Sequence, residues 1–273
     1  MSRVYPTSLT SIPATILHHR ELLWELIKRD FIGRYKGSFM GVAWSLFNPL
    51  LMLVIYTFVF SVAFKARWGV ESDSKLGFAI VLFSGLIVHA LFAECLNRAP
   101  TLITSHPSYV KRVVFPLEIL PLMALGSALG HFLVSLTVLV FFCLVAGAPL
   151  HFAGILLPVI LLPMLLIVLG LSWLLASLGV YLRDFAQAIG MMTTVTLFLA
   201  PVFYPIEALP PVYQAILVWN PITLPIIQLR SALLWGEPIN WLAWGASLAI
   251  GIAVLYLGFA WFQKTRKGFA DVL

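Results

Sequence analysis

The chain of 273 residues is strongly apolar: 61% of its residues are hydrophobic, 10% are charged, and its mean hydropathy is +1.00. Soluble domains carry about 25% charged residues because their surface faces water, so the composition excludes an ordinary water-soluble protein. The net charge of +6 therefore indicates the enrichment of basic residues in the cytoplasmic loops of membrane proteins, and not a nucleic-acid partner.

Runs without charge divide the chain into predicted membrane crossings. A helix needs about 20 apolar residues to cross hydrocarbon roughly 30 Å thick. The longest run, residues 119–182, contains the helix-breaking Gly147, Pro149 and Gly154, so it is divided into two crossings. We predict an all-α integral membrane protein with one transmembrane domain over residues 1–273. Its six predicted crossings are about 37–64, 76–97, 117–146, 153–181, 185–205 and 238–263.

The segment 206–237 is also largely apolar but is not predicted to cross the membrane. Pro210, Pro211, Pro221 and Pro225 each remove a backbone donor and clash with the preceding helical turn. Hydrocarbon offers no replacement hydrogen bonds, so irregular backbone at membrane depth occurs only inside protein or beside a cavity. We therefore expect short re-entrant helices that form a gate.

The basic residues predict the orientation. Six crossings place both termini on one side. With the termini in the cytoplasm, thirteen Lys and Arg lie inside and four (Lys65, Arg67, Lys75 and Arg230) lie outside. Because Lys and Arg accumulate in cytoplasmic loops, we expect both termini in the cytoplasm.

Residues 14–36, before the first crossing, form a predicted amphipathic helix. Ile16, Leu23, Ile27 and Phe31 share one face of this helix. The residues on the opposite face are charged: Glu21, Glu25, Lys28, Arg29 and Lys36. Two interpretations stay open. The helix packs on the cytoplasmic rim of the bundle, or it lies in the membrane interface, where Lys28, Arg29, Arg34 and Lys36 hold an anionic headgroup or phosphate.

Two cytoplasmic connections carry further charges. Residues 98–115 predict a short projecting helix between bounding prolines, and residues 181–187 predict a shorter connection. Each is either a solvated loop or a contact for a soluble partner, and the residues alone favour neither. Tryptophans lie near the ends of predicted crossings, as in the aromatic belts of membrane proteins: Trp235, Trp241, Trp244 and Trp261.

The sequence lacks the residues of a nucleotide-hydrolysing enzyme. It has no G-x-x-x-x-G-K-[ST] phosphate loop, no metal-ligand motif and no catalytic triad, so no cofactor is expected on this chain. His89 and His131 fall within predicted crossings, where a neutral histidine that donates to a neighbouring helix is the expected role. Glu94 is predicted to pair with Arg98 one helical turn later. Cys95 and Cys143 are predicted to be packing residues without a disulfide.

Residues 34–50, RYKGSFMGVAWSLFNPL, resemble the entry to the first transmembrane helix of ABC-2-type permeases. The resemblance is strongest to permeases that export O-antigen, capsule or teichoic-acid polysaccharides. Further matches follow in order at YLRDF (181–185), PVFYP (201–205) and WNP (219–221). The resemblance covers nearly the whole chain.

The resemblance implies a six-span subunit of the bacterial inner membrane that forms a homodimer and binds two copies of a separate ATPase, which carries the ATP and Mg²⁺. The implied ATPase-coupling residues are Arg98, Tyr109, Lys111, Arg112, Arg183 and Asp184. The implied substrate is a polysaccharide on a polyprenyl pyrophosphate, with phosphate contacts at Arg29, Arg34 and Lys36. Aromatic faces stack on sugar rings, so the channel and gate candidates are Trp44, Tyr56, Phe203, Tyr204, Tyr213 and Trp219.

Two other functions compete with polysaccharide export. One is an ABC-2 permease for a small drug or lipid, which the charge pattern also permits. The other is a membrane-embedded enzyme that acts on lipid-linked sugars. Such an enzyme needs converging carboxylates or histidines at one membrane face, and the sequence indicates no such cluster.

Overall fold

A computed structural model gives the fold and describes residues 11–59, 75–110, 115–182 and 184–272. These residues form helices joined by turns, with no strand among them. The α-helices, in chain order, are α1 (Ser11–His18), α2 (Arg20–Gly33), α3 (Trp44–Thr57), α4 (Lys75–Arg98), α5 (Pro107–Val110), α6 (Ile119–Val145), α7 (Leu157–Tyr181), α8 (Phe185–Phe198), α9 (Pro211–Leu217), α10 (Thr223–Arg230), α11 (Trp241–Thr265) and α12 (Phe269–Val272).

Four helical stretches in the described part are long and apolar enough to cross a membrane. They are Leu76–Thr101, Ile119–Val145, Phe152–Tyr181 and Trp241–Gly268. They coincide with the second, third, fourth and sixth predicted crossings. Two shorter apolar helices, Gly41–Thr57 and Phe185–Phe198, fall within the first and fifth. The helical, membrane-protein class predicted from composition is therefore confirmed.

The first and fifth predicted crossings are shorter than expected for backbone reasons. Gly37 and Gly41 have φ angles of +87° and +54°, which glycine adopts without strain, so turns occupy residues 34–40 and α3 begins at Trp44 instead of at residue 37. Residues 60–64 of this crossing lie outside the described part. Helix α8 ends at Phe198 and not at residue 205, because Pro201 cannot donate to a helix and disfavours helical geometry in the residue before it.

The predicted N-terminal helix is two helices, α1 and α2, which meet at His19 with φ −108° and ψ 20°. Helix α2 ends at Gly33, because glycine is a poor helix former. Its apolar face packs along the first half of α6, where two glycines make room. A Cβ built on Gly126 would lie 2.4 Å from the Ile27 side chain, and one on Gly130 would lie 3.0 Å from the Phe31 ring. The predicted apolar face therefore faces the bundle.

The core contains two clusters of buried apolar side chains. One lies among α4, α6, α7 and α10, and the other joins α2, the first half of α6, α7 and α11. The two predicted packing cysteines are both buried and free. The segment 206–237 forms short helices, as expected from its prolines: α9 begins at Pro211, and α10 follows the Asn220–Pro221 turn.

Helices α7 and α11 approach each other through glycines. A Cβ on Gly258 would lie 1.9 Å from the carbonyl oxygen of Gly170, and one on Gly170 would lie 2.4 Å from that of Val254. Gly251 likewise faces the carbonyl oxygen of Pro163, at 2.8 Å from a built Cβ. Small residues at helix contacts let membrane helices pack backbone against backbone.

We therefore expect Gly258→Ala to destabilise the protein by about 1–3 kcal/mol, because the added methyl group forces the two backbones apart. The measurement is the thermal unfolding midpoint of the purified protein in detergent. Gly245→Ala, on the same helix, is the matched control, since a Cβ there meets nothing within 4 Å. Equal midpoints for the two variants would contradict the close packing of α7 on α11.

Candidate functional site

A polar cluster joins the turn after α2 to α4 and α6. The Arg34 guanidinium lies 2.5 Å from a carboxylate oxygen of Glu94, and Nδ1 of His131 lies 3.0 Å from the other. The hydroxyl group of Tyr35 lies 3.0 Å from Nε2 of His131. The side chains of Arg34, Glu94 and His131 are 30%, 20% and 15% exposed, so the cluster is partly accessible from outside the chain.

The hydrogen bonds of this cluster are mutually consistent for one neutral tautomer of His131. Nδ1–H donates to Glu94, and Nε2 accepts from the hydroxyl of Tyr35. The ring also stacks on Phe31, with centroids 4.7 Å apart and planes at 30°. Nδ1 lies 3.3 Å from the Arg34 guanidinium as well. Since guanidinium N–H groups only donate, that contact becomes a hydrogen bond only when Nδ1 is unprotonated and has released Glu94.

The partner of Glu94 was predicted wrongly. The structure pairs Glu94 with Arg34 and His131, whereas Arg98 donates two hydrogen bonds, of 2.9 and 2.6 Å, to the carboxylate of Asp30. The i+4 rule considers one helix alone. Here Glu94 accepts from two donors, Arg34 in the turn after α2 and His131 on α6, and Asp30 of α2 accepts both bonds from Arg98. Such geometries are stronger than a single exposed pair along one helix.

The Asp30–Arg98 pair connects α2 to the end of α4. Burial alone would raise the pKa of the Asp30 carboxyl, but the hydrogen bonds and positive charge of Arg98 outweigh it, so this pKa lies below its ordinary value. Next to it, Arg29 donates to the hydroxyl of Tyr109 on α5. The Tyr109 ring is stacked between His106 and Phe115, with centroids 5.4 and 4.2 Å away. Two adjacent residues of α2, Arg29 and Asp30, are thus bound to α5 and to the end of α4.

The three predicted phosphate contacts differ in their surroundings. Arg34 is engaged by Glu94, and Arg29 by Tyr109. Lys36 is exposed and forms no ion pair with the described residues. Just after the end of α2, the exposed Lys36 therefore lies two residues from Arg34, which is paired with Glu94.

Half of the predicted coupling residues can be located. Arg98 and Tyr109 bind adjacent residues of α2, Asp30 and Arg29, and Asp184 is exposed at the start of α8. Lys111, Arg112 and Arg183 lie outside the described residues. The turn Ala99–Thr101, directly after Arg98, rests on α7: a Cβ on Gly179 would lie 1.9 Å from the carbonyl oxygen of Pro100.

The predicted aromatic residues fall into separate groups. The rings of Tyr56 and Phe203 lie 6.5 Å apart, and Phe203 stacks on Phe198 at 5.6 Å. The Tyr204 hydroxyl donates to the Phe198 carbonyl at 2.8 Å. The other three candidates lie elsewhere. The Trp44 ring contacts Phe47, and the side chains of Tyr213 and Trp219 are 58% and 82% exposed. The structure thus brings together Tyr56, Phe203 and Tyr204.

Arg230 is an important residue whose contacts were not predicted. It was counted among the four basic residues of the outer side, and its side chain is almost fully buried, at 2% exposed. Its guanidinium donates to the carbonyl oxygens of Val81 (2.9 Å), Pro201 (2.5 Å) and Val202 (3.2 Å) and to the Ser84 hydroxyl (3.2 Å). It joins α10, α4 and the turn after α8. The available signal was a single arginine after residues 208–229, which carry no charge.

His89 has the role expected of it: its Nε2 lies 2.9 Å from the Thr193 carbonyl oxygen, which joins α4 to α8. No group of three or more His, Cys, Asp or Glu within the described ranges is placed to hold a metal ion.

Comparison with known proteins matches residues 21–234 to the ABC-2 type transporter family. An O-antigen export system permease protein (RfbA) of Myxococcus xanthus is 25% identical over 264 residues, 94% of this chain and 96% of that protein. One from Klebsiella pneumoniae is 24% identical over 254 residues, 93% of this chain and 95% of that protein. The polysialic acid transport protein KpsM of Escherichia coli is 21% identical over 245 residues, covering 89% and 92%.

Proposed function

The chain belongs to the ABC-2 type transporter family, and on that premise we propose that it is the membrane permease subunit of an ATP-driven polysaccharide exporter. The transported molecule is an O-antigen-like polysaccharide on a polyprenyl pyrophosphate, moved from the cytoplasm across the bacterial inner membrane. One observation carries the proposal: relatives named for O-antigen export and polysialic acid transport align over about nine-tenths of this chain and of their own lengths.

In the proposed arrangement the chain crosses the membrane six times with both termini in the cytoplasm. The four long helices supply four crossings, and α3 and α8 with their adjoining turns supply the other two. The thirteen-to-four distribution of Lys and Arg supports this orientation. Helices α9 and α10 then lie toward the outer side as gate helices, attached to α4 through Arg230.

Two copies of the chain and two copies of an ATPase form the proposed transporter. The outward face of α8 supports a second copy: Met191, Met192, Val195 and Phe198 are 53–65% exposed. Of these, Phe198 stacks on the ring of Phe203. Covering this face with a second α8 would place the Tyr56, Phe203 and Tyr204 group beside a shared channel. The ATPase contacts the connection that holds Arg98 and Tyr109 and the one that begins at Asp184.

The substrate's pyrophosphate is proposed to meet the protein at the end of α2. Arg29, Arg34 and Lys36 supply positive charge there, and guanidinium groups bind phosphate oxygens in a bidentate manner. The polymer would follow the aromatic group toward α9 and α10, because sugar C–H faces stack on aromatic rings. Hydrolysis of ATP by the partner supplies the energy, and this chain acts as a transport subunit.

The test is co-purification with the ATPase encoded beside this chain, followed by ATP turnover in nanodiscs. We expect a complex with two copies of each chain, by mass photometry, whose turnover changes when lipid-linked polysaccharide is added. A partner ATPase with its phosphate-loop lysine replaced is the control for contaminating activity. Absence of any complex would contradict the proposal, and a response to small drugs but not to the polymer would favour the alternative permease.

A further inference from the structure

Glu94 occupies the position that an incoming anion would need. Two donors converge on one point between α2, α4 and α6: the guanidinium of Arg34 and Nδ1 of His131. The Tyr35 hydroxyl lies 3.0 Å from Nε2, on the other side of the His131 ring, and holds that ring in place. Arginine beside histidine is a typical donor set for a phosphate. In this structure the acceptor is the chain's own carboxylate, at 2.5 Å from Arg34 and 3.0 Å from His131.

We propose that Glu94 is an internal competitor for the phosphate site: it holds Arg34 and His131 when the site is empty, and the pyrophosphate of a polyprenyl lipid displaces it. This inference rests on the proposed function for the identity of the ligand. It adds Glu94 as the residue that determines when Arg34 becomes available. It also adds His131 to the binding group, with Tyr35 as the residue that orients the His131 ring.

The charges of the cluster explain why displacement is needed. The opposite charges of Arg34 and Glu94 cancel within the pair, so Arg34 attracts no further anion while Glu94 holds it. The exposed Lys36, two residues from Arg34, keeps its positive charge uncompensated within the described part and provides the first attraction. A pyrophosphate carries more negative charge than a carboxylate and accepts more hydrogen bonds, so it exchanges for Glu94 once it arrives.

The geometry also allows the exchange. Arg34 and Tyr35 lie in the turn after α2, not within a long helix, while Glu94 and His131 are held by α4 and α6. Arg34 can therefore move away from Glu94 while both long helices stay in place, and rotation of the Glu94 side chain to another rotamer then releases Nδ1 of His131. Arg34 is 30% exposed, which leaves part of the guanidinium accessible to a ligand before Glu94 is released.

Two substitutions distinguish a competing Glu94 from a purely structural ion pair by the direction in which each changes the affinity for pyrophosphate. Glu94→Gln keeps the shape and a hydrogen-bond acceptor but removes the competing charge, and Arg34→Gln removes the main donor. A competitor predicts that E94Q binds pyrophosphate about tenfold more tightly and R34Q about tenfold more weakly. A structural pair predicts that both substitutions weaken binding through the same loosening of the cluster.

The binding test uses farnesyl pyrophosphate as the probe, added to the purified full chain in phosphatidylcholine nanodiscs and measured by microscale thermophoresis. Glu118→Gln is the matched control, because Glu118 also pairs with an arginine, Arg266, at 2.6 Å, and its affinity is expected to equal that of the unchanged protein. A second set of nanodiscs contains phosphatidylglycerol. If the variants respond to that lipid and not to farnesyl pyrophosphate, the ligand is a phospholipid headgroup and the inference is overturned.

A second measurement needs no substitution. Glu94 of the unchanged protein is expected to react more with a water-soluble carbodiimide and glycine ethyl ester when farnesyl pyrophosphate is present, as read by mass spectrometry. Unchanged or reduced labelling would overturn the displacement. Both tests omit the ATPase and the polymer. If ATP turnover depends on the polymer but E94Q and R34Q shift the affinity for farnesyl pyrophosphate in the same direction, this inference alone is overturned. If the two affinities shift in opposite directions but turnover does not depend on the polymer, the proposed function alone is overturned.

Discussion

Arg230→Gln is expected to destabilise the protein by at least about 3 kcal/mol, the largest effect of any single substitution considered. The guanidinium is 2% exposed and donates to the carbonyl oxygens of Val81, Pro201 and Val202. Glutamine is shorter and has two N–H donors instead of five, so at least one of these three carbonyl oxygens loses the hydrogen bond that Arg230 supplies. The thermal unfolding midpoint and the yield of folded protein in detergent are the measurements.

Two further variants serve as comparisons for the unfolding midpoint of Arg230→Gln. Arg230→Lys keeps the charge but lacks the planar set of donors, so its unfolding midpoint is expected to lie between those of the glutamine variant and the unchanged protein. Arg20→Gln removes an exposed arginine of α2 and is expected to change the midpoint little. If R230Q unfolds at the same temperature as R20Q, the bonds of Arg230 contribute nothing to the attachment of α10.

The burial of Arg230 could not be predicted from its neighbours in sequence. A charge at the end of an apolar, proline-rich segment is usually placed at the membrane surface, because an isolated charge inside hydrocarbon is costly. The structure satisfies the charge with carbonyl groups from two other parts of the chain. Val81 lies in α4, and Pro201 and Val202 lie in the turn that ends α8. Only the tertiary arrangement brings these acceptors together.

The long helices, in contrast, follow from the sequence. A helix in lipid must satisfy its own backbone hydrogen bonds and exclude charge, so the charge-free runs give the bounds of α4, α6, α7 and α11 to within a few residues. The break near Gly147 was also correct: its φ is +65°. The predicted bounds were wrong for the first and fifth crossings. The positive φ angles of Gly37 and Gly41 delay the start of α3, and Pro201 ends α8 early.

The candidate site was predicted in part. That the basic end of the N-terminal helix binds an anion stays a prediction. The carboxylate beside Arg34 was assigned to Arg98, which pairs with Asp30 instead. Sequence spacing identifies partners one turn apart on one helix. It does not reveal which residue of α4 faces α2 and which faces α6, and this determines that Glu94 meets Arg34 and His131.

Gly179→Ala is expected to uncouple ATP turnover from the polymer while leaving the bundle folded. Gly179 of α7 supports the turn after α4, and a methyl group there would lie 1.9 Å from the Pro100 carbonyl oxygen. Both sides of this contact are backbone, so no flexible side chain can move aside. To restore an ordinary contact of 3.4 Å, the turn must shift by roughly 1.5 Å. The shift carries with it Arg98, next to the turn, and Tyr109 on α5.

Strain of about 1–3 kcal/mol at Gly179 corresponds to a loss of about five- to 150-fold in the population with the turn correctly seated. Because the α2 contacts of Arg98 and Tyr109 depend on that seating, polymer-dependent ATP turnover of the complex is expected to fall by a similar factor. Gly190→Ala on α8, where a Cβ meets nothing within 4 Å, should retain normal turnover. If G179A matches G190A in turnover while its unfolding midpoint falls as far as that of G258A, the contact stabilises the fold and has no part in coupling.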